Sequence, residues 1–273
     1  MTRVRLGSVS YLNARPCVVG LEDDPHFDLR FDLPSRCAAL LHSRAIDAGL
    51  IPSIEYLRHP DREAYRIVPD VAIASFGPVA SVALYTARAV SDVRSIAMDT
   101  SSRTSVALTR VLCARAFRID PDIQASPPDL RLMLEMCDAA LIIGDGALLL
   151  KHTEVEVSRE IPRGAIQKID LGETWSRLTG LPFVYAFWAG RAEALDAEDV
   201  RRLQRARDKG VSDSQAVAEA YFADPALRDL GAQYLRDNIQ YHLGDRERAG
   251  LETFYRYAAE LGILPDSGEL RFY

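Results

Sequence analysis

Near the start of the chain, Val4-Arg5-Leu6-Gly7-Ser8-Val9 reads as a buried strand, and Ser10-Tyr11-Leu12-Asn13-Ala14-Arg15-Pro16 follows it as a polar, turn-forming stretch. Pro16 stands where a helix could begin, because the missing N–H costs nothing in a first helical turn. Strand, polar loop and helix start together make a βα unit. In an open α/β sheet, ligands bind outside the carboxyl ends of the strands. Ser8, Ser10, Tyr11 and Asn13 are therefore placed to hydrogen-bond a ligand. An ordinary βα loop would carry the same residue types.

The alternation continues along the chain. Phe27-Asp28-Leu29-Arg30-Phe31-Asp32-Leu33 has the period of two of a strand, and Pro34-Ser35 opens a helix through Leu40 and Leu41. Residues 46–51 form a short strand closed by Pro52-Ser53. Ser53 is placed to cap a helix carrying Ile54, Tyr56 and Leu57, with Glu55 suited to the positive end of its dipole. Two β-rich runs, 68–75 and 79–86, flank Gly77-Pro78. A second series begins with a strand at 93–98 and the polar loop 99–105, then a helix with its apolar face at Val106, Leu108, Val111, Leu112 and Phe117. A strand around Ile123, a helix over 130–136 and a buried strand over 139–143 lead to Gly144-Asp145-Gly146. Residues 181–189 are strongly β, and from Asp196 onward the pattern is helical. There Ser212 and Gln215 have capping-box spacing and Gly262 marks a helix end. At 273 residues the chain is too long for one small core. The expected architecture is α/β with two lobes. A discontinuous lobe of 1–88 plus 183–273 encloses an inserted lobe of 89–182, and the two crossing segments form a hinge over an interlobe cleft.

A composition of 48% hydrophobic and 26% charged residues is that of a soluble globular protein. The net charge of -6 disfavours nucleic acid and anionic membranes, so an anionic ligand must be held by local groups. Cys17, Cys37, Cys113 and Cys137 lack C-x-x-C spacing and read as small buried residues in a reducing compartment. The five histidines are scattered, so no metal site is expected. The N-terminal residues lack an export-signal pattern, and no apolar run is long enough to span a bilayer. The expectation is a cytoplasmic protein of small-molecule ligands, without nucleic acid, membrane or an obligate protein partner.

Ser101-Ser102-Arg103-Thr104-Ser105 is the strongest anion-site candidate, since helix-start N–H groups, hydroxyls and a guanidinium can together hold a carboxylate or phosphate. A well-capped helix with a solvated arginine fits the same residues. Ser81, inside an apolar run, is either a core hydroxyl or a cleft group, and Gly144-Asp145-Gly146 is either a tight turn or part of a site. The phosphate-loop and dinucleotide glycine motifs do not occur, and no nucleophile elbow points to a hydrolase.

The stretch from Arg5 to Pro16 resembles the signature of the chorismate dehydratases of the futalosine route to menaquinone. Further stretches match in order: Pro34-Ser35 with Ala38 and Leu41, Asp47-Ala48-Gly49-Leu50-Ile51-Pro52-Ser53-Ile54-Glu55-Tyr56, Gly77-Pro78-Val79-Ala80-Ser81-Val82, and Ser102-Arg103-Thr104-Ser105. One departure is Arg44, where the resemblance leads one to expect glycine. The resemblance implies a periplasmic-binding-protein-like (type II) fold. It also implies a lyase that removes water from chorismate to give 3-[(1-carboxyvinyl)oxy]benzoate. Because the product is aromatic, no redox cofactor is needed. The implied substrate contacts are Ser10, Tyr11, Ser53, Ser102, Arg103, Thr104, Ser105, Gly144 and Asp145. The matched motifs hold no strong base. The substrate's own enolpyruvyl carboxylate would take the proton, oriented by Asn13 and Ser81, with Glu55 or Asp145 as the protein-base alternative. Other readings are a sister enzyme releasing 1,4-dihydroxy-6-naphthoate, a solute-binding protein and an effector-binding domain.

Overall fold

Strongly β residues in short apolar runs become ten strands in two five-stranded sheets among the described residues. The computed structural model describes residues 3–157 and 164–273. The stretches 1–2 and 158–163, which fall within the two expected lobes, lie outside the described residues.

In the first sheet, β1 (Val4–Val9) is flanked in parallel by β2 (Phe27–Asp32) and β3 (Ala48–Pro52). The last-added strand, β10 (Phe183–Arg191), runs antiparallel between β3 and the edge strand β4 (Tyr65–Ser75). The second sheet repeats the plan. Its strands are β5 (Val82–Thr86), β6 (Ser95–Asp99), β7 (Asp122–Ser126), β8 (Ala139–Ile143) and β9 (Gln167–Asp170). There β6 lies in parallel between β7 and β8, and β5 runs antiparallel between β8 and β9. Each sheet thus has three parallel strands whose carboxyl ends share one edge.

The division expected at residue 88 differs from the strand pairing. β5 lies in the second sheet, bonded to β8 and β9, so the crossing is made by 76–81. Apolar composition shows that a strand is buried on both faces, but not which partner covers its edges. The runs on either side of Gly77-Pro78 look alike and pair in different sheets.

Nine α-helices cover the sheets among the described residues: α1 (Pro34–His42), α2 (Arg103–Leu112), α3 (Leu130–Met136), α4 (Gly144–Leu149), α5 (Leu171–Thr179), α6 (Ala197–Ser212), α7 (Ser214–Tyr221), α8 (Pro225–Asp237) and α9 (Asp245–Glu260). Three local expectations are corrected. Pro16 lies inside a 3-10 helix, Leu12–Val18, rather than at a helix start. Ser212 ends α6; Asp213, one residue on, caps α7 by accepting the Ala216 N–H, and a capping box stands instead at Asp196 and Asp199. Ser53 begins a four-residue 3-10 helix that it does not cap, because its hydroxyl donates to Val184 O at 2.8 Å.

One apolar cluster runs through both sheets, joining Leu6, Leu50 and Trp188 to Leu84, Met98 and Leu141. Trp175 of α5 anchors the junction. Its ring meets Phe183 and Phe254 edge-on, and its Nε1 donates to Pro182 O at 3.1 Å. All four cysteines are buried and free, and burial pushes Cys17, Cys37 and Cys113 up to about 12, which leaves those three as inert thiols.

Candidate functional site

The carboxyl edges of the two sheets meet across a narrow cavity of about 40 Å³. From the first sheet and its loops come Val9, Tyr11, Asn13, Pro52, Ile73 and Tyr185. From the second come Val82, Ser102, Ser105, Ile143 and Gly144. Its walls are apolar and its polar groups are hydroxyls, phenols and an amide. No lining residue carries a charged side chain. An anion here must be held by neutral donors, and the start of α2 supplies them. Ser102 caps that helix, with its Oγ 3.4 Å from Ser105 N and 3.1 Å from Ser105 Oγ.

Of the residues singled out in the sequence, the cavity gathers Tyr11, Asn13, Ser102, Ser105 and Gly144. Gly144 has φ +63°, and a Cβ there would stand 2.9 Å from the Tyr11 ring, so only glycine lets that ring lie flat on the turn. Tyr11 lies with its hydroxyl 3.2 Å from Ser101 Oγ, and burial raises its pKa.

Ser81 is held by a residue the sequence did not point to. The Tyr234 hydroxyl, on α8, donates to Ser81 Oγ at 2.7 Å. Ser81 itself is 1% exposed and stands just behind the lining.

The remaining candidates do not line the cavity. Ser10 has its N–H bonded to Asp32 O, and its carbonyl lies 3.1 Å from the Tyr221 hydroxyl. Thr104 is wholly buried and accepts the Ile54 N–H at 3.2 Å, with Ser53 Oγ 3.4 Å away, so this pair fastens α2 to the 3-10 helix Ser53–Tyr56. Arg103 turns away to Glu55, 2.8 Å from Nη1 to Oε2. Glu55 also faces Arg58 at 3.3 Å and His42 at 3.5 Å. Burial pushes the Glu55 carboxyl up, but these partners outweigh it and hold its pKa below the usual value. Asp145, on α4, accepts the Leu12 N–H at 3.1 Å and the Tyr221 hydroxyl, and burial raises its pKa. Both carboxylates considered as bases are occupied with structure, outside the cavity lining.

Two further residues shape the crossing at 76–81. Asp170 caps α5 and accepts the Val79 and Ala80 N–H groups at 3.0 and 2.7 Å. Lys168 Nζ donates to Ala80 O at 2.6 Å, and burial lowers its pKa. Together they hold Ala80 at φ +63°, a conformation costly for a non-glycine residue, and so aim the turn that carries Ser81. Ala80 itself gave no sequence cue, since its strain depends on two residues some 90 positions away. Among the described residues no group of three or more His, Cys, Asp or Glu side chains could hold a metal, and no helix is long and apolar enough to cross a membrane.

Two α/β sheets facing one another across a cavity at their strand ends define a two-lobed binding-protein-like fold. Solved structures share it. A protein from Archaeoglobus fulgidus superposes with a TM-score of 0.74 at 17% identity, over 96% of this chain and 98% of that one. The periplasmic aliphatic sulphonate binding protein of Escherichia coli gives 0.63 at 15% identity, over 99% and 92%. The family described as menaquinone biosynthesis matches residues 4–260, and the chain belongs to that family. It is 32% identical to a chorismate dehydratase of Thermus thermophilus, over 94% of this chain and 95% of that one. It is 26% identical to a chorismate dehydratase of Campylobacter jejuni, over 94% and 98%.

Proposed function

We propose that this protein removes water from chorismate, giving 3-[(1-carboxyvinyl)oxy]benzoate for menaquinone synthesis by the futalosine route in the cytoplasm. Besides the full-length relatives, the observation that carries the reading is the character of the cavity. Its apolar walls suit a six-membered ring, its neutral donors suit carboxylates, and no charged side chain intrudes. The chemistry asks for little more. Removing the ring proton beside the ether oxygen builds charge that spreads through the ring double bond to the ring carboxylate. Hydroxide then leaves from the neighbouring carbon and takes up a proton as water, and aromaticity drives the step. The protein has to orient the ring, exclude water and spare the developing charge any repulsion.

Glu55 is held by Arg103, Arg58 and His42, and Asp145 accepts from two donors, and both stand outside the cavity lining, which disfavours both as the base. The enolpyruvyl carboxylate of the substrate is then the proton acceptor, oriented by Asn13 with Ser81 behind it. Ser102 and Ser105 take a carboxylate at the start of α2. A pocket for a ligand of this kind ordinarily spans some 300–1,000 Å³, so at about 40 Å³ the observed cavity belongs to a closed form, and the two sheets separate to admit substrate.

The test is direct. Purified protein incubated with chorismate should produce the aromatic ether, seen by its ultraviolet absorption and by mass. Binding of chorismate without its consumption would reduce the protein to a carboxylate-binding module.

A further inference from the structure

A second pocket, of about 580 Å³, opens at the opposite end of the first sheet. The end of α1, the loop 59–64, the start of β4 and Arg191 at the end of β10 enclose it. On β10, Tyr185 of the cavity and Arg191 stand six residues apart, about 20 Å at the usual strand rise. Four basic side chains line this pocket: His42, Arg44, His59 and Arg191. The His42 and His59 rings stack with centroids 4.5 Å apart. His42 is engaged on both sides, by the Tyr65 hydroxyl at 3.0 Å and by Glu55 at 3.5 Å. His59 is not. Its Nδ1 accepts the Asp61 N–H at 3.0 Å, which places the ring hydrogen on Nε2, and that hydrogen meets no acceptor among the described residues.

The two arginines are poorly neutralised. Arg191 has Glu193 at 3.4 Å, itself 75% exposed, and Asp47 at 4.0 Å, which Arg5 already holds at 2.6 Å. Its Nη1 is buried with no hydrogen-bond partner, a costly state that a ligand oxygen would relieve. The Arg44 guanidinium has no acceptor among the described residues, and its backbone is held at φ +61°. A cation kept at the edge of a pocket in a conformation that glycine would adopt freely points to a use for its side chain. Of the two lining carboxylates, Glu63 is turned to Arg271 at 3.8 Å, and Asp61 alone is left to oppose an anion.

We propose that this pocket binds a phosphate group, free or esterified to a small molecule, through Arg44, Arg191 and the His59 Nε2–H. Three donors from three segments of chain match the three terminal oxygens of a phosphate monoester better than the two of a carboxylate. The volume lies within the range of small-molecule pockets, about 300–1,000 Å³, and leaves room for an organic remainder. The site is independent of the dehydration assigned to the cavity.

Calorimetry of the whole protein with inorganic phosphate and with glycerol 3-phosphate tests it. Both should bind; equal affinities assign free phosphate, and a tighter ester assigns a phosphomonoester. Arg191→Gln and Arg44→Gly should each weaken binding about tenfold or more, the effect of losing a charge-assisted hydrogen bond, and leave chorismate consumption at the parental rate. Arg44→Gly should lose affinity while gaining stability, a pairing that a merely structural arginine would not give. Asp61→Asn removes the opposing charge and should tighten binding. Ser105→Ala, at the start of α2, should bind both probes as the parent does. No binding of either probe at millimolar concentration, parental affinity in both arginine variants, weaker binding in Asp61→Asn, or a loss confined to Ser105→Ala would each overturn the proposal.

Discussion

Arg44 occupies a backbone conformation that most side chains avoid, with φ +61°. It follows the end of α1, where Ala45 N–H reaches Leu40 O at 2.9 Å and Arg44 N–H reaches Leu41 O at 3.1 Å. This crossed pair of bonds is the Schellman ending, and its left-handed position is normally glycine. The end of α9 shows the same motif with glycine in place. Ile263 N–H bonds Ala258 O at 2.8 Å, Gly262 N–H bonds Ala259 O at 2.9 Å, and φ of Gly262 is +65°. The departure noticed in the sequence is thus a local strain that leaves the turn intact. Arg44→Gly should be more stable than Arg44→Ala by about 1 kcal/mol in urea unfolding, the reverse of the usual order of these residues in a helix. Equal stability would show that the turn relaxes around the alanine. Gly144 makes the complementary case within the site. Gly144→Ala places a methyl 2.9 Å from the Tyr11 ring at φ +63° and should cost about 1–3 kcal/mol, with a rise in KM for chorismate as Tyr11 is displaced. An unchanged KM would remove Tyr11 from the substrate contacts.

Between elements, Glu55 is the tie that a titration can read. It sits in the 3-10 helix Ser53–Tyr56 of the first sheet and pairs with Arg103 at the start of α2, a helix of the second. Its carboxyl is 2% exposed, while Arg103 and Arg58 keep 44% and 39% of their side chains in solvent, so removing the charge strands no buried cation among these two. Glu55→Gln should therefore cost about 1–3 kcal/mol at pH 7, less than breaking a wholly buried pair. The sign with pH follows from the lowered pKa. The carboxylate stabilises the fold above its ordinary value of 4.5, and that contribution disappears as pH falls through the folded-state value. The stability gap between parent and Glu55→Gln should narrow in acid, and a gap independent of pH would show that shape rather than charge holds the tie. Elements were legible in the sequence to the extent that their signals were local. The strand over 4–9, the helix opened by Pro34, the helix capped by Ser102 and the glycine at 262 each carry their own cue. The partner of β5 and the place of Tyr234 beside Ser81 depend on contacts more than fifty residues apart, which no spacing records. Thr104 and Arg103 stand at the start of α2, where the sequence suggests an anion site, but the 3-10 helix at 53–56 takes both, a competition visible only once the sheets face each other.

For the whole molecule, the proposed reaction needs the two sheets to part and close again, and on that reading Asp145 would act as a catch for the closed form. Asp145 on α4 of the second sheet reaches across to the first, accepting the Leu12 N–H at 3.1 Å and the Tyr221 hydroxyl from α7. The same hydroxyl lies 3.1 Å from Ser10 O, just past the end of β1. The Arg15 guanidinium lies over the Tyr221 ring, 5.2 Å from its centroid, and also favours the Asp145 charge. These contacts sit beside the cavity, whose lining they do not enter, so on the proposed reading they would bias the open–closed balance. A ligand that binds only the closed form has its apparent affinity scaled by the fraction of molecules closed. Tyr221→Phe keeps the ring and deletes the donor. It leaves the Asp145 carboxylate one hydrogen bond short in a buried position, at a cost of about 1–3 kcal/mol to the closed form alone. Affinity for the aromatic product should fall about tenfold in calorimetry. Solution scattering of the free protein should show a larger radius of gyration that returns to the parental value at saturating ligand. Chemistry in the closed complex should be nearly as fast as before, so kcat should fall much less than kcat/KM. Product affinity and free-state dimensions matching the parent would mean that closure is set by the apolar walls alone, with Asp145 and Tyr221 serving only to join α4 to α7.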